Sequence, residues 1–214
     1  EDSYGLSGFA FSAWPIRIAK WNRALSVGLS LIMVVLSMLI AERLTSSVLA
    51  AVVTGLICAL SPELIQYSPV VGVDILVAMM FLLSAYVALL VSKRLSLAGV
   101  VTLGIICGLT ISSKYNAAPV GLLPLIVLGL SREFKPTLIV AAVLAPLIGF
   151  FIGSPFVLVS LPLFLDHLAY EAWHYAVAGH EGHTGTPGIG QALFYCNWLM
   201  DDAIGYMTFW IGLI

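Results

Sequence analysis

Three groups of side chains in this chain are of types that do chemistry. Asp74 closes the segment 61–74 and opens an uncharged run. A carboxylate there reads either as a helix N-cap that satisfies free N–H groups, or as a ligand for a metal ion or phosphate site. The second reading follows because ionisable groups at a membrane edge are costly and usually partnered. Lys114 sits in Ser112-Ser-Lys-Tyr-Asn116 with no other charge nearby. It is either a snorkelling anchor or a cation that holds an anionic headgroup or phosphate. His174, His180, Glu181 and His183 fall within ten residues. Imidazole and carboxylate suit zinc or another divalent ion, yet a His pair three apart among glycines lacks the helical zinc spacing. A solvated polar loop, or one histidine acting as a base or acceptor contact, explains the group equally. The acidic pairs Glu1-Asp2 and Asp201-Asp202 read as solvated or capping groups when each is taken singly. No Ser-His-Asp constellation, phosphate-binding glycine loop or dinucleotide fingerprint is present.

These residues are positioned by elements that belong in lipid. Hydrophobic residues make up 61% of the chain and charged residues 9%, a composition whose solvent is the bilayer. The runs 24–41, 44–62, 75–92, 95–113, 115–131 and 136–165 carry no charge. Each is expected to form a membrane span, since about 20 apolar helical residues cross a core of ~30 Å. The expected fold is all-α, a polytopic transmembrane helical bundle with six spans over 24–158. Alternating the seams puts Arg43, Lys93, Arg94, Arg132 and Lys135 on one side against Glu42 and Glu133. That side is cytoplasmic by the positive-inside rule. Most acids and all four histidines fall on the other, outer side, where function is expected. A net charge of -2 with no basic tract excludes a nucleic-acid partner. Cys58, Cys107 and Cys196 form no disulfide or metal framework and read as small apolar residues.

Residues 1–23 interleave Trp14 and Trp21 with Arg17, Lys20 and Arg23, a mixture suited to the headgroup zone. The long outer connection 159–202 is expected to hold an interfacial helix over 165–178, with Asp166 as its N-cap. His167, Tyr170, Glu171 and His174 would share one face of it at i, i+3, i+4 and i+7. The segment 179–190 has five glycines and a proline and reads as a loop. The start at Glu1 and the short apolar run 203–214 lead us to expect further spans at both ends.

With these residues laid out, the chain resembles the membrane-embedded C-type glycosyltransferases that use a polyprenyl-phosphate-linked sugar, the family of protein mannosyltransferases and of the lipid A aminoarabinose transferase. The resemblance rests on Trp21-Asn-Arg23-Ala-Leu-Ser, Ala41-Glu-Arg-Leu-Thr-Ser46, Ala59-Leu-Ser-Pro62, Tyr67-Ser68 and Asp74, followed by the stretch from Gly108 to Asn116. Ser154-Pro-Phe and the His174 to His183 region continue it. The order and spacing of these short motifs, from Trp21 to Trp198, carry the match.

The resemblance implies an inverting transfer of a sugar from a lipid phosphate to an acceptor at the outer face. An acid of the first outer loop would be the general base, and Asp2 is the residue that matches, although it has no span before it and lies close upstream of Arg23. Asp74 would hold a divalent ion or order the donor phosphate. Lys114 and Arg23 would neutralise the phosphate leaving group. Asp74, His180 and His183 are the candidate metal ligands, and His174 and Glu181 the loop and acceptor contacts. The implied setting is a plasma membrane, such as the bacterial inner membrane, with the working face periplasmic or extracellular. Two other classes stay open. A non-catalytic subunit with a transferase-like scaffold would sit among other membrane subunits, and a transporter would need paired broken helices.

Overall fold

Backbone N–H and C=O groups find no water inside a bilayer, so apolar runs of this kind must satisfy them within helices. The computed structural model describes residues 15–174 and 188–205, and it holds no strand among them. The order is α1 (Pro15–Thr45), α2 (Val48–Ala59), α3 (Pro62–Tyr67), α4 (Asp74–Lys93), α5 (Leu97–Ser113), a 3-10 segment (Tyr115–Leu122), α6 (Leu123–Ser131), α7 (Pro136–Gly153), α8 (Phe156–Val159), α9 (Leu161–Trp173), α10 (Ile189–Trp198) and a π-helical turn (Leu199–Ala203). The architecture is an all-α, polytopic bundle. Ile16–Thr45, Asp74–Lys93 and Pro136–Gly153 are long and apolar enough to cross a membrane, while Val48–Ala59, Leu97–Ser113 and Tyr115–Ser131 are shorter apolar helices. With 12 residues, α2 is about 18 Å long at 1.5 Å per residue.

Helix ends follow local chemistry. Ser47, Ser61 and Ser96 cap α2, α3 and α5 by accepting from the N–H groups of Ala50, Leu64 and Gly99. Arg132, at φ 53, closes α6 in the left-handed conformation and turns the chain toward α7. Past Lys114, Pro119 and Pro124 both lack an N–H, so an unbroken α-helix would lose hydrogen bonds at each. The chain instead runs through the tighter 3-10 form before α6 begins.

Residues 15–23 are the opening turns of α1, continuous with the rest of that helix. One expectation changes. Asp166 is not an N-cap: α9 starts at Leu161 after Ser160, with Pro162 in its first turn, and Asp166 lies inside the helix. Proline favours the first helical turn because its missing N–H would have no intrahelical partner there, and that signal outweighed the aspartate.

The packing that sets the register of the site is between α5 and α7. A Cβ on Gly108 would run into the Pro146 carbonyl and the backbone at Gly149 and Phe150, and one on Gly149 into the backbone of Ile105. Helices packed in lipid gain nothing from hydrophobic exclusion, so close backbone approach over small residues supplies the van der Waals contact. Beside it, Ser84 of α4 and Thr110 of α5 are fully buried and hydrogen-bonded to each other at 3.2 Å. Each also lies within hydrogen-bond distance of a carbonyl one turn back in its own helix, so one hydroxyl can donate to its carbonyl while accepting from the other, and neither is left unsatisfied in an apolar interior. Val100, Leu103 and Cys107 of α5 fill the rest of the core with Leu128 of α6 and Ala142 of α7.

Candidate functional site

α4 and α5 are antiparallel neighbours joined by a short turn, so the first residue of α4 and the first residue beyond α5 arrive at the same end of the bundle. Those residues are Asp74 and Lys114. The Lys114 ammonium reaches the Asp74 carboxylate at 2.5 Å (Nζ to Oδ1). Lys114 is in extended conformation, φ -158 and ψ 123, at the break between α5 and the 3-10 segment, which points its side chain away from the helix path. Asp74 does no capping: Val73 holds the N-cap position, and no side chain bonds the free N–H groups there. Its carboxylate still sits at the positive end of the α4 dipole. The side chains of Lys114 and Asp74 are 38% and 61% exposed, so the pair contributes only about 0–1 kcal/mol to stability.

Lys114 also lines a cavity of about 790 Å³. One wall is the turn from Ser112 to Asn116; the other is the face of α9 that carries His167, Tyr170 and Glu171. Aromatic side chains hold the two walls together. The Tyr115 ring meets Phe164 of α9 edge to face at 5.3 Å and Phe150 of α7 at 6.3 Å, and Phe150 and Phe164 lie 6.1 Å apart. Gly153, opposite Ser112, lets the end of α7 approach the same turn. A cation, two hydroxyls and an amide on one side thus face an imidazole, a phenol and a carboxylate on the other, an arrangement suited to an anionic head joined to a hydroxyl-rich group.

Of the residues singled out from sequence, Asp74 and Lys114 are brought into contact. Arg23 is exposed on α1, one turn before Ser26, whose hydroxyl donates to the Val70 carbonyl at 3.1 Å. It therefore flanks the connection leading to Asp74 but is not among the residues lining the cavity. His174 ends α9 and stacks on Tyr170 at 6.0 Å. Asp2, His180, Glu181 and His183 lie outside the described residues. Among the described residues no group of three or more His, Cys, Asp or Glu could hold a metal ion, and the one described candidate ligand, Asp74, already has an ammonium on one oxygen. Tyr115, Phe150, Phe164 and Asn116 were not read as site residues, because an aromatic beside a span looks like any interfacial anchor.

A bundle of long apolar helices with an ion pair and a cavity at one end is the architecture of an integral membrane protein. The chain belongs to the dolichyl-phosphate-mannose-protein mannosyltransferase family, whose model matches residues 6–158. That makes it a membrane glycosyltransferase of the mannosyltransferase type. No curated protein and no solved structure matches it.

Proposed function

We propose that the Asp74 end of the bundle transfers a sugar from a polyprenyl-phosphate donor to an acceptor hydroxyl at the outer membrane face. The observation that carries this reading is Lys114, paired with Asp74 and lining a cavity whose walls carry a few polar groups. The donor phosphate docks on the Lys114 ammonium while its lipid tail stays among the helices. The acceptor oxygen attacks the anomeric carbon from the opposite side, its proton passes to a carboxylate, and the bond from carbon to phosphate oxygen breaks. The phosphate leaves with that electron pair. Charge therefore grows on the phosphate as the bond lengthens, and a preorganised cation lowers the barrier most at such a point. Asp74 acts on the ammonium, keeping it aimed, rather than on the substrate. Arg23 meets the phosphate from the α1 side. His174 and Glu181 contact the acceptor, and Asp2 is the base that the family resemblance assigns. A divalent ion, if one is bound, would be held by the second Asp74 oxygen with His180 and His183 and would add positive charge beside the phosphate; metal analysis of His180→Ala and His183→Ala protein tests it.

Supporting the reading are the family and the apolar helices, which suit a lipid-linked donor. The test is transfer from a polyprenyl-phosphate hexose to a hydroxyl acceptor by the complete protein in liposomes with the donor supplied on one side at a time. Activity is expected from the side exposing Asp74, and Lys114→Ala should lower kcat by roughly 10²–10³-fold. Equal rates in wild type and Lys114→Ala would remove Lys114 from the site.

A further inference from the structure

The cavity has two chemically different walls, and the transfer reading uses only one of them. On the other, His167, Tyr170 and Glu171 occupy a single face of α9, since positions three and four apart on a helix are neighbours. All three line the same cavity as Lys114. The wall is acidic and aromatic. Glu171 supplies a carboxylate that can accept two hydroxyl hydrogen bonds, and His167 adds a nitrogen able to donate or accept. The Tyr170 ring is held by its neighbours, stacked on His174 at 6.0 Å with 19° between planes and tilted against Trp173 at 6.0 Å. A flat ring beside a carboxylate and an imidazole matches a pyranose, which offers C–H bonds on its faces and hydroxyls at its rim. A few polar groups in an otherwise apolar pocket fix a ligand's orientation in this way. Charge narrows the class further. Glu171 would repel a carboxylate on the ring, while the Lys114 ammonium opposite attracts the phosphate.

We propose that the α9 wall, through Glu171 and His167 with Tyr170 beneath, is the subsite for the donor's sugar ring, and that it selects a non-anionic hexose with free hydroxyls. This rests on the transfer reading. The Lys114 wall takes the phosphate and the α9 wall takes the ring, so the donor lies across the cavity with its anomeric bond between them. Glu171 is a specificity-determining residue here and performs no proton transfer.

The experiment compares a polyprenyl-phosphate hexose, its monodeoxy analogues and the corresponding hexuronic acid donor, using complete wild-type, Glu171→Gln, His167→Ala and Asp166→Asn proteins in liposomes. Wild type should lose about tenfold or more in kcat/KM when the contacted hydroxyl is removed, as expected for a hydrogen bond to a charged group. Glu171→Gln should raise the donor KM by about tenfold and should no longer distinguish the hexose from that deoxy analogue. It should also accept the hexuronic acid donor better than wild type does. His167→Ala provides a second, independent loss at a different hydroxyl. Asp166 is exposed on the same helix and is not among the lining residues, so Asp166→Asn should match wild type and control for damage to α9. An active wild type with an unchanged donor KM in Glu171→Gln overturns the sugar subsite and leaves the transfer reading intact. A rise in acceptor KM alone also overturns it, because α9 would then hold the acceptor. A wild type that transfers no sugar from any donor overturns the transfer reading and the subsite with it.

Discussion

The two ends of the bundle use their charges differently. At one end Arg43 and Lys93 lie in the last turns of α1 and α4, and Arg94, Arg132 and Lys135 on the short connections that follow α4 and α6. The Lys93 ammonium donates to the Arg43 backbone carbonyl at 3.5 Å, across 50 residues, and Lys135 pairs with Glu133 at 3.3 Å, two residues away; none of these residues lines the cavity. At the other end Lys114 and Asp74 lie 40 residues apart and join separate helices beside a cavity. Charges on turns that merely set orientation need no fixed geometry, since the excess of positive charge is what counts. Charges that act on a substrate do need it.

The largest effect is expected at Lys114. In the proposed transfer, Lys114→Ala removes the cation that would meet the leaving phosphate and should lower kcat by roughly 10²–10³-fold. Lys114→Arg should recover part of the rate, because the charge returns at a slightly different position. Single-turnover transfer measured in liposomes would resolve both, and an arginine variant no better than alanine would mean that the ammonium position, and not its charge, is what matters.

Gly108→Leu tests the packing that holds the functional end in register. The added side chain would meet the Pro146 carbonyl and the Gly149 backbone, neither of which can rotate away as a flexible side chain would. Overpacking of this kind costs about 1–3 kcal/mol. Thermal unfolding in detergent should therefore show a lower midpoint, with activity falling in step. A change of similar size at Gly129, where a Cβ meets nothing within 4 Å, is not expected. If both variants unfold alike, close approach of α5 and α7 is not what fixes the site.

Asp74→Asn should be milder than loss of Lys114. The amide keeps a hydrogen bond to the ammonium but not the charge that holds it, and an exposed ion pair of this kind is worth about 0–1 kcal/mol. A several-fold fall in kcat with little change in thermal midpoint is the expected result, in a comparison of donor titrations for the two proteins. A loss as deep as that of Lys114→Ala would promote Asp74 from aiming the cation to contacting the substrate or a metal.

How far this arrangement could be read in advance depends on the kind of signal. Asp74 and Lys114 stood out because a lone charge at the edge of an apolar run is expensive, and that cost is visible in one dimension. Their mutual contact was not, since it depends on the relative register of α4 and α5, which Ser84, Thr110 and the glycine contacts with α7 establish in three dimensions. The helical face of His167, Tyr170 and Glu171 was legible from spacing, but its partner wall was not. The Phe164 contact with Tyr115 that brings the walls together joins residues 49 apart by number, and nothing in either local sequence announces it. Asp166 misled for a related reason: aspartate is a good cap, but Ser160-Leu-Pro162 lies nearly two turns earlier and set the helix start.

The smallest effect is expected at the opposite end, and it bears most directly on the comparison. Lys135→Gln breaks the contact with Glu133, whose side chain is 44% exposed while that of Lys135 is 70% exposed. Two flexible groups two residues apart in solvent gain little Coulomb energy and lose side-chain entropy when they pair, so the net change should stay within about 0.5 kcal/mol. Transfer by the complete protein should be unchanged within twofold. Four basic residues remain on these turns, enough to keep the charge asymmetry that sets orientation. Protease protection of the two ends in vesicles, before and after the substitution, checks that the orientation holds. Should Lys135→Gln instead depress transfer as strongly as Lys114→Ala while orientation is retained, the basic end would have to act on the donor or the acceptor, and the division between an orienting end and a reacting end would collapse.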